Sequence, residues 1–213
     1  MALSVQAVDS YAVNMDRRMP FHFGNVTVTK GPQVLVELTL SVDGTEANGL
    51  AMGAAAPMWF FKDPDMTIEE GCNAVFDLTE TVGELSLELG PQSDPFALWQ
   101  ALHEAVDAWG ADTDLPPLFY NYGVSLVEQA VIDAFCRATG TSFPDAVAEN
   151  TLGIDLGAVH EDLAGCEPAD LLPDEPLRST AIRHTVGLGD PLTPADVAPD
   201  ERLDDGLPQV LSE

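Results

Sequence analysis

One stretch constrains this chain more than any other: Tyr122–Gly140, reading YGVSLVEQAVIDAFCRATG. Val127, Ala130, Val131, Ala134, Phe135 and Ala138 recur at three- and four-residue spacing, which places them on one face of a helix. Ala130, Ala134 and Ala138 form a ridge of small residues that lets another element approach closely. Leu126, Ile132 and Cys136 widen the apolar face, so the spacing predicts a helix buried on more than one side. Ser125 and Glu128 have the spacing of a capping box and predict the helix start. Arg137 falls in the last turn, where a cation favours the helix dipole, and Gly140 is placed for a left-handed cap. What precedes this helix reads as material that packs on it.

The strands come first. Ser4–Met15 alternates apolar and polar residues and predicts a half-buried strand. Arg17–Phe23 follows as a loop or strand edge, and Val26–Thr29 continues extended. After a Gly31-Pro32 turn, Val34–Val42 is the strongest strand in the chain. Asp43-Gly44 turns it, and Ala47–Gly53 returns. Three strands with short connections predict an antiparallel meander with one face needing cover. Thr67 with Glu70 has capping-box spacing and opens a helix to about Val82. Asp94 before Pro95 opens another that runs to Gly110. A short helix over Phe143–Leu152 ends at Gly153. The fold class expected is therefore α+β, a three-stranded antiparallel meander followed by a helical bundle, over residues 1–153. Residues 154–176, rich in Asp, Glu, Gly and Pro, read as a connector. Leu177–Val186 reads as a new strand, and residues 196–213 as a loop running into a helix; together they resemble one βα unit.

Charge decides the surface. The chain has 213 residues, 46% of them hydrophobic, enough to bury a core. It carries 36 acidic against 8 basic residues, a net charge of −28, and its only lysines are Lys30 and Lys62. The acids are dispersed along an apolar-rich sequence, which argues against an acidic tail and against disorder. A folded protein with such a coat fits the cytosol of a halophile, where salt screens the repulsion; an ordinary acidic protein is the plainer alternative. Nucleic acid and anionic membranes are poor partners for it. Cys72, Cys136 and Cys166 stand far apart with no CxxC spacing, which points to a reducing compartment and away from a disulfide framework or zinc knuckle. The N-terminus has no signal-peptide pattern, and the most apolar stretch, Leu50–Phe61, is short and broken, so no membrane span is expected.

Most candidate motifs fail on spacing. His103, Glu104 and Asp107 lack the second histidine of a zinc helix. His160, Glu161 and Asp162 fit no ligand scheme and read as a solvated acidic loop. Gly187-Leu188-Gly189 lacks the third glycine of a dinucleotide fingerprint. Two loops remain. Arg17–Phe23 combines Arg17, Arg18, Met19, Phe21 and His22; Ala54–Lys62 combines small residues with Trp59 and Lys62. Both leave the ends of strands, where ligand contacts usually lie. The plainer reading is that Phe21, Trp59 and Phe60 cover an apolar edge while Lys62 pairs with an acid.

The order of elements, with RRMPFHFGNVTVT (Arg17–Thr29), WFFK (Trp59–Lys62) and SLVEQAVIDAFCRATG (Ser125–Gly140), resembles the N-terminal capping domain of the enolase superfamily, in its mandelate racemase/muconate lactonizing enzyme branch. The resemblance runs into the opening strand of a (β/α)8 barrel at Leu177–Val186. It implies that the loops Arg17–Phe23 and Ala54–Lys62 shape specificity for a small carboxylic or sugar acid, with His184 late in the barrel strand as a further contact. It also implies Mg2+-dependent abstraction of a proton α to a carboxylate. The family's metal carboxylates and bases stand on later barrel strands, so none can be carried onto a residue here. A full barrel takes ~250 residues, and Leu177–Glu213 supplies one βα unit at most. The expectation is an incomplete acid isomerase, lyase or dehydratase that binds no Mg2+ alone. The alternatives are a standalone binding module that complements a separate barrel chain or self-associates, and a small enzyme of another class using His184 or the His160 region.

Overall fold

The computed structural model describes residues 1–23, 26–173, 175, 177–183 and 185–212, and of Phe23 and Val26 the backbone alone. By its contacts the chain divides into two compact units, Met1–Val13 with Pro32–Arg178, and Asn14–Gly31 with Ser179–Glu213. The sequence placed residues 14–31 in the first domain and a break after residue 153. The structure instead groups 14–31 with the C-terminal segment.

The larger unit is α+β. Its sheet has the order β1 (Leu3–Val13), β4 (Gln33–Val42), β5 (Thr45–Ala54), antiparallel throughout, with β4 in the middle. Leu3 pairs with Val42 and Val13 with Gln33, and a bulge between Val5 and Ala7 shifts the register. Alternation along β4 is complete: Val34, Val36, Leu38 and Leu40 are buried, and the residues between them are half-buried on the other face. The buried face is covered by helices, as a meander with one apolar face requires.

Three long helices supply that cover. α1 (Ile68–Glu88) begins at the Thr67 capping box, with Glu70 N donating to Thr67 Oγ1 at 3.2 Å and Thr67 N donating back to Glu70 Oε2 at 2.9 Å. It runs one and a half turns beyond Val82 because Leu85 and Leu89 still find the core. α2 (Pro95–Gly110) has Asp94 as its cap, accepting from Ala97 N at 2.8 Å, and buries Leu98, Leu102 and Val106. α3 (Pro117–Thr139) buries Val127, Ala130, Val131, Ala134 and Phe135 on the face the spacing marks, and Gly140 caps it at φ 69°. A short helix, α4 (Phe143–Ala148), follows with Ser142 as its cap.

The start of α3 differs from the expectation. Ser125 lies two turns inside the helix, where its hydroxyl donates to the carbonyl of Tyr122 at 2.8 Å. The helix begins at Pro117, whose missing N–H costs nothing in the first turn and whose fixed φ suits it. Close packing of α3 on the sheet explains the alanine ridge. A Cβ added to Gly49 of β5 would lie 2.0 Å from the carbonyl oxygen of Ala130 and 2.4 Å from the nitrogen of Ala134. Backbone meets backbone there, and only small residues on both sides permit it.

The connector forms short turns, among them α5 (Leu156–Val159). Leu177–Val186 carries no strand among its described residues, and Ile182 is 94% exposed. Composition there favours an extended chain, but a strand persists only with a ladder partner for its backbone groups. Beyond Asp196 the described residues hold turns rather than the expected helix, because Pro199, Gly206 and Pro208 interrupt it.

The smaller unit contains a hairpin, β2 (Asp16–Phe23) with β3 (Val26–Lys30). Arg17–Phe23 is thus strand rather than loop.

Candidate functional site

The smaller unit holds a cleft of about 320 Å3, with Arg18, Met19, Pro20 and His22 from β2 on one side and the C-terminal residues 189–209 on the other. Period-two alternation does not separate these side chains, because β2 pairs irregularly: the register slips between Asp16 and Phe21. His22 is held from two directions. Its Nδ1 lies 2.8 Å from Thr27 Oγ1, and its carbonyl accepts from Leu188 N at 3.2 Å. Gly187-Leu188-Gly189 forms a tight turn in which Asp190 accepts from Gly187 N at 2.6 Å. A Cβ on Gly189 would stand 2.9 Å from the His22 ring. These glycines let the turn reach the histidine.

Among the described residues of the unit, Arg18 is the most heavily bonded cation. Its guanidinium takes both oxygens of Asp205 and also donates to the carbonyls of Leu207 and Pro208 at 3.0 and 2.9 Å. The hydrogen bonds from Arg18 hold the Asp205 carboxyl down at about 2. Arg17 lies outside the cleft lining, with its guanidinium carbon 5.8 Å from the centre of the Phe21 ring. His184 lies outside the described residues.

Ala54–Lys62 belongs to the larger unit. Phe60 and Phe61 pack on Phe119, with ring centroids 5.4 and 4.7 Å apart, and the Tyr122 hydroxyl donates to the Ala54 carbonyl at 2.8 Å. The two phenylalanines therefore cover the first turn of α3. Trp59 does not join them and is 72% exposed. Lys62 Nζ donates to the Met58 carbonyl at 2.7 Å, which closes the turn, so an acid partner is not what holds it.

An open groove of about 720 Å3 runs along α3. Its polar groups satisfy one another: Asp133 Oδ2 accepts from Leu50 N and from Arg137 Nε, both at 2.9 Å. That arrangement caps a free donor on the edge strand β5. His103 stacks on Trp99 with centroids 5.5 Å apart and lies 3.5 Å from Asp107, as a helix surface contact. Burial pushes the Glu128 carboxyl and the Tyr122 phenol up.

Magnesium needs several oxygens converging on one point. Among the described residues no group of three or more His, Cys, Asp or Glu side chains is gathered to hold a metal ion. Asp190 and Asp196 of the cleft are each turned to a backbone donor, and Asp205 is turned to Arg18. The described residues do not fit a magnesium site. No helix among them is long and apolar enough to cross a membrane.

Sequence reasoning passed over the cleft-lining residues Asp190, Asp196, Asp200, Glu201, Arg202 and Gln209, and also Asp205, which holds Arg18. Asp204-Asp205-Gly206-Leu207-Pro208 reads as an acidic turn, and nothing local pairs it with an arginine 187 positions earlier. The scarcity of cations was the available signal: with six arginines, each had many acids to choose among.

No family model matches the sequence, and no curated protein does. Solved structures do. An enolase from Bradyrhizobium, solved with magnesium and mandelic acid, is 18% identical at a TM-score of 0.45, covering 66% of this chain and 33% of its own. A mandelate racemase/muconate lactonizing enzyme-like protein from Rubrobacter xylanophilus is 19% identical at 0.45, covering 68% and 33%. A dipeptide epimerase from Enterococcus faecalis, solved with magnesium and L-Leu-L-Tyr, is 14% identical at 0.41, covering 64% and 32%. These structures are what the chain is similar to over about two thirds of its own length, and it spans about a third of theirs.

Proposed function

We propose that this chain is the N-terminal portion of a mandelate racemase/muconate lactonizing enzyme-like acid isomerase, lyase or dehydratase. It supplies contacts that select a small carboxylic or sugar acid and is catalytically incomplete alone. The observation that carries the reading is Arg18 of β2, which lines a cleft together with His22 and whose guanidinium fork holds both oxygens of the Asp205 carboxylate. A guanidinium fork is the geometry that recognises a carboxylate. The sequence resemblance assigns substrate selection to this same segment. The sequence resemblance puts the Mg2+ ligands and the base of such an enzyme on later barrel strands. The dispersed net charge of −28 supports a halophilic, cytoplasmic setting.

A second form of the reading has the rest of the barrel on a separate chain. It is favoured by the exposed apolar residues Leu177, Ile182 and Leu188, which a partner would cover. The coding sequence downstream separates the two forms: an in-frame continuation means one polypeptide, and a separate barrel gene means complementation. The test of incompleteness is Mg2+-dependent exchange of α-protons in deuterated water across a panel of hydroxy- and sugar acids. The purified chain is expected to give none. Clear exchange, abolished by His184→Ala, would make it an enzyme in its own right.

A further inference from the structure

β5 is an edge strand of the sheet β1–β4–β5. Val42 pairs with Thr45 across a two-residue turn, with Asp43 at φ 48° and Gly44 at φ 86°, so the bonds to β4 fall at Thr45, Ala47, Gly49, Ala51 and Gly53. The backbone groups of Glu46, Asn48, Leu50, Met52 and Ala54 point the other way, along the free edge. Natural sheets guard such an edge with lysine, proline, a bulge or an inward charge. The sequence of β5, TEANGLAMGA, has one charged residue, Glu46, and its register with β4 is unbroken. Leu50 and Met52 stand exposed on it.

The guard comes from α3 instead. Gly49 lets the two backbones touch at Ala130 and Ala134, which brings the short side chain of Asp133 within reach of the edge. Asp133 Oδ2 accepts from Leu50 N at 2.9 Å, and the Tyr122 hydroxyl donates to the Ala54 carbonyl at 2.8 Å. Each takes a backbone group that a further strand would use. On either side of Leu50, the N–H groups of Asn48 and Met52 donate to no group among the described residues. The groove of about 720 Å3 opens beside Leu50, with Ile132, Cys136 and Phe143 in its lining, and leaves space for a strand next to the edge.

We propose that β5 is a latent pairing edge for a second copy of this chain, and that Asp133 is the plug that holds it shut. An antiparallel edge is its own complement: two copies related by a two-fold axis pair the same strand. Centred on Leu50, that pairing sets Leu50 against its own counterpart, Asn48 against Met52 and Glu46 against Ala54. No carboxylate of β5 then faces another, which a chain of net charge −28 requires of a contact with itself. The two sheets become one of six strands, three from each copy. In it Leu50 N donates to the Leu50 carbonyl of the other copy, and Asp133 now holds that same donor. The carboxylate acts by occupying the donor, not through its ion pair with Arg137.

Sedimentation velocity of the full chain in molar KCl compares the wild type with D133A, R137A, M52P and D133A/M52P. Alanine favours a helix more than aspartate does, so D133A keeps α3; should its urea transition be lost, Asp133→Ser takes its place. Proline at position 52 removes an outward N–H and leaves the ladder to β4 intact. Wild type and R137A are expected to sediment alike at every loading. D133A is expected to reach about twice the wild-type mass as its concentration rises, and D133A/M52P to return to the wild-type mass. A folded D133A with the wild-type mass at every loading would overturn the proposal. So would association of D133A that survives M52P, since the contact would then lie elsewhere on the surface. A wild type that M52P alone splits into smaller species would overturn it too, because the edge would be open with Asp133 in place.

Discussion

The two units are built by different physics. In the unit around α3, β4 and three helices bury a continuous set of aliphatic and aromatic side chains, with Val34, Leu38, Leu102, Val127 and Ala134 fully enclosed. In the unit that joins 14–31 to the C-terminal segment, Gly187 and Val210 are the buried residues among those described, and Leu188, Leu192 and Leu207 face solvent. There the chain is held by directional contacts: Arg18 on three acceptors, Gln209 across its loop and Asp190 on its turn. Burial gives a rigid scaffold; polar contacts give a surface that can exchange one partner for another. Elements that move to bind ligands come from the weakly buried end of a structure.

The sharpest way to break this comparison is in the core. Phe135→Ala removes a fully buried ring and is expected to destabilise the larger unit by ~3–5 kcal/mol, read by urea denaturation. Near wild-type stability would mean that α3 is not the organising helix. Gly49→Ala comes next. It forces a methyl against the backbone of α3 and is expected to cost ~1–3 kcal/mol through overpacking.

How much of this was legible follows the same divide. Periodicity reports burial, so α1, α2, α3 and the β1–β4–β5 meander could be read from spacing, and the alanine ridge announced a close approach before Gly49 was seen opposite it. The start of α3 was misplaced because Ser125 and Glu128 match a capping box in spacing while Pro116-Pro117 already opens the helix. Leu177–Val186 looked like a strand because its composition is β-like, yet composition cannot supply a ladder partner. The cleft was half legible. Arg17–Phe23 was marked for its chemistry, but its partner loop holds together through single side-chain contacts that leave no period in the sequence.

Salt sharpens the comparison further. Screening shortens the Debye length to ~3 Å at 1 M, and at a net charge of −28 the larger unit is expected to melt at a higher temperature in molar KCl than in dilute buffer. A flat or falling midpoint would count against the halophilic setting. A smaller effect concerns Glu128. Burial raises its folded pKa above the unfolded value, so its ionisation opposes folding as pH rises through the folded pKa, and protonation relieves the penalty in acid. Glu128→Gln should therefore raise the melting temperature at neutral pH, with the gain vanishing in acid. A gain independent of pH would assign the effect to packing.

The most direct test of the divide is segment-resolved hydrogen exchange on the wild-type chain. Amides of β4 and of the middle of α3 are expected to exchange only with unfolding of the larger unit. Those of β2 and of residues 187–211 should exchange through local opening, orders of magnitude faster, and faster still in Arg18→Ala. Uniform protection across both, unmoved by Arg18→Ala, would contradict the claim that one unit is held by burial and the other by a latch.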